Sequence, residues 1–174
     1  MASPALDDPN FHRTVVLTCA HEKGGAFGIV LNRPIELDVP EHLSRWHRMS
    51  SQPKAIFFGG PVGTGGAFGI GLKRSGTDDF GWTAVTDRIG VFDLGGDPED
   101  MGVNLEQMRI FRGHAGWLEG QIEAELARES WFVVELDDND PFSDEPERLW
   151  TEVLRRQTGP LAIYADFPVD PKVN

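Results

Sequence analysis

"TVVLTCAHEKGGAFGIVLNRP", Thr14 to Pro34, is the stretch on which the fold turns. Two β-branched and apolar runs, residues 14–20 and 26–32, flank a "HEKGG" connection. Gly24 and Gly25 can supply the positive φ that a tight connection demands, so the stretch reads as a β-hairpin. Both runs are apolar on both faces, which predicts strands inside a sheet covered on both sides. The second strand ends at "NRP", because Pro34 has no amide hydrogen for the ladder and holds Arg33 extended.

Working outward, "PEHLSRWHRM" predicts a short helix with Leu43 and Trp46 on one stripe. "KAIFFGGPVGTGGAFGIGLK" predicts strands at 55–58 and 67–72 around a glycine-proline turn. Glycine-rich loops that let backbone approach closely often cradle phosphate. This one matches neither the G-x-G-x-x-G nor the G-x-x-x-x-G-K-[ST] spacing and leads into a strand, so it reads as a structural turn. "WTAVT" and "IGVFDL" are further short strands. "QMRIFRG" is another, with Met108, Ile110 and Arg112 on one face and Arg109, Phe111 and Gly113 on the other.

That strand runs into "GHAGWLEGQIEAEL". Gly113 and Gly116 bracket a sharp turn, and Leu118, Ile122 and Leu126 recur at helical spacing, so the segment predicts a strand-turn-helix joint. Gly120 in the helix's first turn signals close packing or close approach, and Glu119 and Glu123 read as a solvated outer face. Later, "WFVVELD" predicts a strand with Phe132, Val134 and Leu136 inward. Asp144 with Glu147 predicts a capping box for a helix whose stripe is Leu149, Trp150, Val153 and Leu154, ending near Gly159. "LAIYA" predicts a last strand before the Pro-rich tail "DFPVDPKVN".

The 174 residues fit one domain, about 8–165 forming its core, and a chain of this length buries roughly two thirds of its unfolded surface. There is no run of 18 apolar residues, and "MASPALDDPNFH" carries acids where a signal peptide needs an apolar core. The expectation is a cytoplasmic protein with no membrane contact. Cys19 is the one cysteine, which excludes an internal disulfide and a cysteine-rich zinc site. Phosphate backbones are bound by Lys and Arg, so a net charge of −12, from 28 acids and 16 bases, disfavours nucleic acid.

No G-x-S-x-G nucleophile elbow exists. Cys19 and His21 share a strand face but stand about 7 Å apart, too far for a nucleophile-base contact, so the cysteine reads as buried and inert. For a metal, His12 and His21 with Asp7 and Asp8 lack ligand spacing. His42 and His47 fall about 140° apart around a helix. The acidic run after Glu135 would put Pro141 at the fifth position of a calcium loop. No metal or cofactor is expected.

"DPNFHRTVVLTCAHEKGGAFGIVLNRP", "GGPV", "GHAGWLEGQIEAEL" and "PFSDEPERLWTEVL", in that order, resemble the AlgH/YqgE family of uncharacterised bacterial proteins. The resemblance implies an α/β fold of the α+β type: one compact domain with a coiled, bulged mixed β-sheet and flanking helices. The family's signature falls on Asp8, Pro9, Phe11, His21, Gly25, Ala26, Gly28, Asn32, Arg33 and Pro34. It continues at Gly59, Gly60, Pro61 and Val62, then at Gly113, Gly116, Trp117, Gly120 and Gln121. Lys73 stands where a histidine is expected, and His114 where the family has an aromatic or tyrosine-like residue, which weakens a shared histidine mechanism.

Loops rich in glycine and proline without a complete catalytic set suggest a non-enzymatic, regulatory binding module for an unknown protein or small molecule. Its candidate binding residues are His21, Asn32, Arg33, Gly59, Gly60, Pro61, His114, Gly116, Trp117 and Gln121. The alternative is an enzyme of unknown class in which Arg33 holds an anionic substrate and His21 or His114 serves as acid or base; it requires these groups to converge in one pocket.

Overall fold

The structure, a computed structural model, describes residues 1–76, 81–102 and 104–168, with the backbone alone at Met101 and Gly102. The proline-rich tail beyond Pro168 lies outside the described residues. The hairpin forms as its sequence dictates: β1 (Val16–Glu22) pairs antiparallel with β2 (Gly25–Val30), and Gly25 sits at φ +131°. The register shifts between Thr18 and Ala20, so Cys19 is the extra residue of a β-bulge.

Next come β3 (Pro34–Ile35), a 3-10 turn at Glu41–Leu43 and α1 (Ser44–Met49). The chain continues through β4 (Ile56–Phe58), β5 (Val62–Lys73), β6 (Thr83–Ala84), β7 (Ile89–Asp93), α2 (Pro98–Gly102) and β8 (Leu105–Leu118). α3 (Gln121–Ala127) and α4 (Leu149–Arg155) complete the helices.

β8 is the spine. The main sheet path runs β1-β2-β8-β5-β7-β6, and all its pairs are antiparallel. One edge of β8 serves two partners in succession, β4 in parallel at Ile110–Arg112 and β2 antiparallel at Ala115–Leu118. The handover falls at Gly113, whose φ of +73° bends the strand without ending it. The sheet is therefore mixed, curled and bulged, as the resemblance implies.

Alternation along β8 sends successive side chains to opposite faces, and both faces are covered. Phe111 joins Ile29, Leu17, Phe57 and the stripe of α4 in one cluster. Met108 and Ile110 join Trp46 of α1, Phe92 and Leu105 in a second cluster. Ala115 and Trp117 pack with Ala26, Trp131 and α3 in a third.

Five expectations are corrected. β1 is not sandwiched within the sheet but forms its edge, and Ala20 to Glu22 are exposed on it or partly so. The turn expected at Gly113–Gly116 is a continuation of β8, because those residues find a ladder partner in β2; Glu119–Gly120 makes the turn, with Gly120 at φ +73° as N-cap of α3 rather than inside its first turn. The strand expected over 131–137 is reduced to one bridge, Trp131 with Ala2. The strand expected at 161–165 lies in a 3-10 helix, Gly159–Asp166, opened by Pro160 and packed through Leu161, Tyr164 and Ala165 onto the cluster that includes α4. The capping box fails: a 3-10 turn at Pro146–Arg148 precedes α4, and its N-cap, Glu145, makes no side-chain cap bond but pairs with Arg148 at 3.0 Å. The helical turn starts at Pro146, so Asp144 lies one residue ahead of the N-cap position and its carboxylate is out of register with the turn's free amides.

Candidate functional site

The predicted residues separate into three places. Asn32 is buried and acts as a splint: its Oδ1 accepts from the Val15 amide at 3.0 Å and its Nδ2 donates to the Arg13 carbonyl at 2.9 Å. Arg33, beside it, donates to the His12 carbonyl, and burial lowers its pKa. These two residues tie the end of β2 to the loop ahead of β1.

Around α3, His21 lies on β1 opposite Ala26, which in turn lies opposite Trp117 of β8. The three share a sheet face. His21 Nε2 meets Glu123 Oε1 at 2.7 Å, which corrects the reading of Glu123 as merely solvated and holds its carboxyl below the usual range. Both side chains are about half exposed (47% and 54%), so the pair contributes little to stability.

Glu125 does more. Its carboxylate accepts from the indoles of Trp117 and Trp131 at 3.0 and 2.7 Å and from Gln121 Nε2 at 2.9 Å, while Gln121 Oε1 accepts from the Leu118 amide at 3.1 Å. Phe11 stacks on Trp117 and meets Trp131 edge-on. Sequence spacing reveals the two tryptophans but not this carboxylate, which sits 8 and 6 residues from them. Glu125→Ala removes the acceptor for two buried indoles and is expected to cost about 2–3 kcal/mol in urea unfolding, with a red-shifted tryptophan emission. A loss under about 0.5 kcal/mol would show the indoles finding other acceptors.

On the opposite face, Gly59 and Gly60 are buried against Gly113 and His114, so they serve backbone packing. The Val30 amide donates to the Gly59 carbonyl and the Gly59 amide to the Arg112 carbonyl, both at 2.8 Å. Pro61 to Gly66 then stand exposed as a lip, because β5 bulges off β8 between the pairs Val62–His114 and Ala67–Arg112. Arg112 Nε donates to the Thr64 carbonyl and holds the lip down. The His114 ring packs 4.8 Å from Phe27, and Phe27 points away from the face carrying Ala26. Gly116, opposite Phe27, is exposed. The sheet thus separates His114 from His21.

A groove of about 390 Å³ opens between β1 and the extended segment 131–136, lined mainly by apolar side chains such as Leu17, Trp117, Ile122, Trp131 and Val134. His21 and Asp140 also reach it. Cys19 is partly buried, and burial pushes its thiol up to about 12, so it carries no reactive thiolate at neutral pH. Among the described residues no three His, Cys, Asp or Glu gather as a metal site requires, and no helix is long and apolar enough to cross a membrane.

The profile of the AlgH-like family matches residues 1–162. A UPF0301 protein of Streptomyces avermitilis is 44% identical over the whole chain and 92% of its own length, and one of Mycobacteroides abscessus is 38% identical over 98% of this chain and 83% of its own. A crystal structure from Corynebacterium diphtheriae superposes with a TM-score of 0.89 at 30% identity, covering 96% of this chain and 89% of that one. The solution structure of the AlgH protein from Pseudomonas aeruginosa gives 0.65, also at 30% identity, covering 91% and 92%. The chain belongs to the AlgH-like family of uncharacterised bacterial proteins.

Proposed function

We propose that the protein is a non-enzymatic binding module of the cytoplasm whose recognition surface is the lip Pro61–Gly66 with His114 and Gly116. The observation that carries this reading is six consecutive exposed residues, 61–66, seated on the most internal strand of the sheet. Glycine at 63, 65 and 66 leaves main-chain amides and carbonyls accessible, and Val62, 46% exposed, adds an apolar contact. An exposed run of this length suits a protein partner better than an enclosed small molecule. A regulatory role follows through whatever partner docks there.

The enzymatic alternative asks His21, Arg33 and His114 to meet one substrate. His21 and His114 lie on opposite faces of the sheet, and the Arg33 guanidinium is engaged by the His12 carbonyl, so the geometry favours binding over acid-base chemistry.

The test is affinity capture with wild type and with Val62→Asp/His114→Ala, beside a thermal-shift screen against metabolites. The variant should lose specific partners while keeping its melting temperature. Identical partner sets for the two proteins would sink the lip as the recognition surface, and turnover of any screened metabolite would sink the binding-module reading.

A further inference from the structure

The last residues of β8 are paired on one edge only. β2 takes the edge at Ala115–Leu118, while on the side of β5 the ladder reaches His114, opposite Val62, and among the described residues no strand continues it. Backbone groups of successive residues point to alternate edges of a strand. The Trp117 carbonyl stands where a Cβ on Gly25 would be, so Trp117 faces β2, and the amides and carbonyls of Gly116 and Leu118 face the open side. Consistently, the Leu118 amide donates to Gln121 Oε1 at 3.1 Å, a side chain standing in for a neighbouring strand. Gly116 is exposed, and among the described residues nothing stands in for its missing neighbour.

The side chains along this edge form a knob and a hole. Leu118 is 78% exposed, and Gly116, two residues earlier on the same face, has open space where a side chain would be. Phe27, opposite Gly116 on β2, walls that space, with the His114 ring 4.8 Å from it. An unpaired edge with an apolar knob is a template for one more strand.

We propose that the occupant of this edge is the same edge of a second copy of the chain, antiparallel about a two-fold axis at Trp117. Symmetry fixes the register: Gly116 pairs with the partner's Leu118, and Leu118 with the partner's Gly116, as a self-complementary contact requires. Each pair exchanges bonds in both directions, the Leu118 amide passing from Gln121 to the partner's Gly116. Residues directly opposite in a ladder share a face, so the partner's Leu118 falls into the space over Gly116, against Phe27.

Two observations favour a second copy over an unrelated strand. Knob and hole lie on one face of one edge, in positions that a single two-fold brings together twice. The open stretch is also bounded by Pro61 and Val62 at its His114 end and by the turn at Glu119–Gly120 at the other. A longer strand would run into the lip, whereas an antiparallel copy turns away there and sets its own Glu119–Gly120 turn against Val62, which is 46% exposed. The pairing rests on the reading of the lip as a recognition surface and names the partner that meets it.

So short a ladder makes a weak dimer, with a dissociation constant on the order of 100 µM. Sedimentation equilibrium of the 174-residue chain from about 10 µM to about 1 mM should show monomer passing to dimer. Amide exchange at Gly116 and Leu118 should slow about threefold or more over that range. Gly116→Val fills the hole, and Leu118→Asp puts a charge on the knob; each should weaken association about tenfold or more. A Cβ at Gly116 meets open space and Leu118 is exposed, so the melting temperature of the dilute variants should stay within about 2 °C of wild type.

A chain that stays monomeric throughout, or a dimer that both substitutions leave unchanged, overturns the pairing. Either result leaves the lip itself standing, since its own test is the loss of captured partners in Val62→Asp/His114→Ala.

Discussion

Arg109→Leu is expected to lower the unfolding free energy by about 3 kcal/mol or more, read as a fall in the urea midpoint at unchanged slope. Arg109 is fully buried on β8, yet among the described residues no carboxylate bonds it directly. Its guanidinium donates to the carbonyls of Gln52, Pro141 and Ser143, the last two at 3.1 and 2.9 Å, and lies 4.2 Å from the Phe57 ring centre. Burial pushes its pKa down to about 10, and the nearby Asp144 charge offsets only part of this.

Desolvating that charge is costly, so an apolar replacement recovers something. It cannot bond three carbonyls, each of which costs about 1–3 kcal/mol if left without a donor in the interior. Orphaned acceptors win the balance. Arg109→Lys, with a point charge in place of a planar fork, should fall between wild type and leucine. A leucine variant within about 1 kcal/mol of wild type would mean that water or backbone shifts satisfy the three carbonyls.

Gly60→Ala should be comparably damaging, at about 3–5 kcal/mol, although it adds one methyl group. At φ +146° the backbone is in a region essentially reserved for glycine, which alone costs on the order of 1–3 kcal/mol for another residue. The added Cβ would also collide with the His114 backbone, a rigid strand that cannot rotate away. Displacing β8 there breaks the handover between β4 and β2, so the loss should appear in circular dichroism as well as in the thermal midpoint. Gly65→Ala, where the same methyl meets open space, is the control and should stay within about 0.5 kcal/mol. Equal stability of the two variants would refute the close-packing role assigned to Gly60.

Much of the fold is legible in local sequence because its rules are local. The hairpin needs only two apolar runs and a glycine connection, and the α4 stripe of Leu149, Trp150, Val153 and Leu154 needs only helical period. Trp46 and Leu43 are readable as core by the same reasoning. The candidate site is less legible. Asn32, Gly59 and Gly60 were signalled by residue type, but type does not tell a splint or a packing glycine from a ligand contact. Glu125, the acceptor for two indoles, carries no signal in its neighbours.

By itself the sequence determined the strand and helix segments whose partners adjoin them, the single-domain size, the acidic surface charge and the family. Tertiary structure decided whatever depends on a distant partner. A strand exists only when its amides and carbonyls find a ladder. Residues 114–118 became strand because β2 accepts them, whereas 133–136, with an equally strand-like pattern, did not, because the space beside them is open. The pairing of β1, β2 and β8 likewise put His21 and His114 on opposite faces, and Gln52, Pro141 and Ser143 closed over Arg109, outcomes set by partners distant in the chain rather than by any local run of residues.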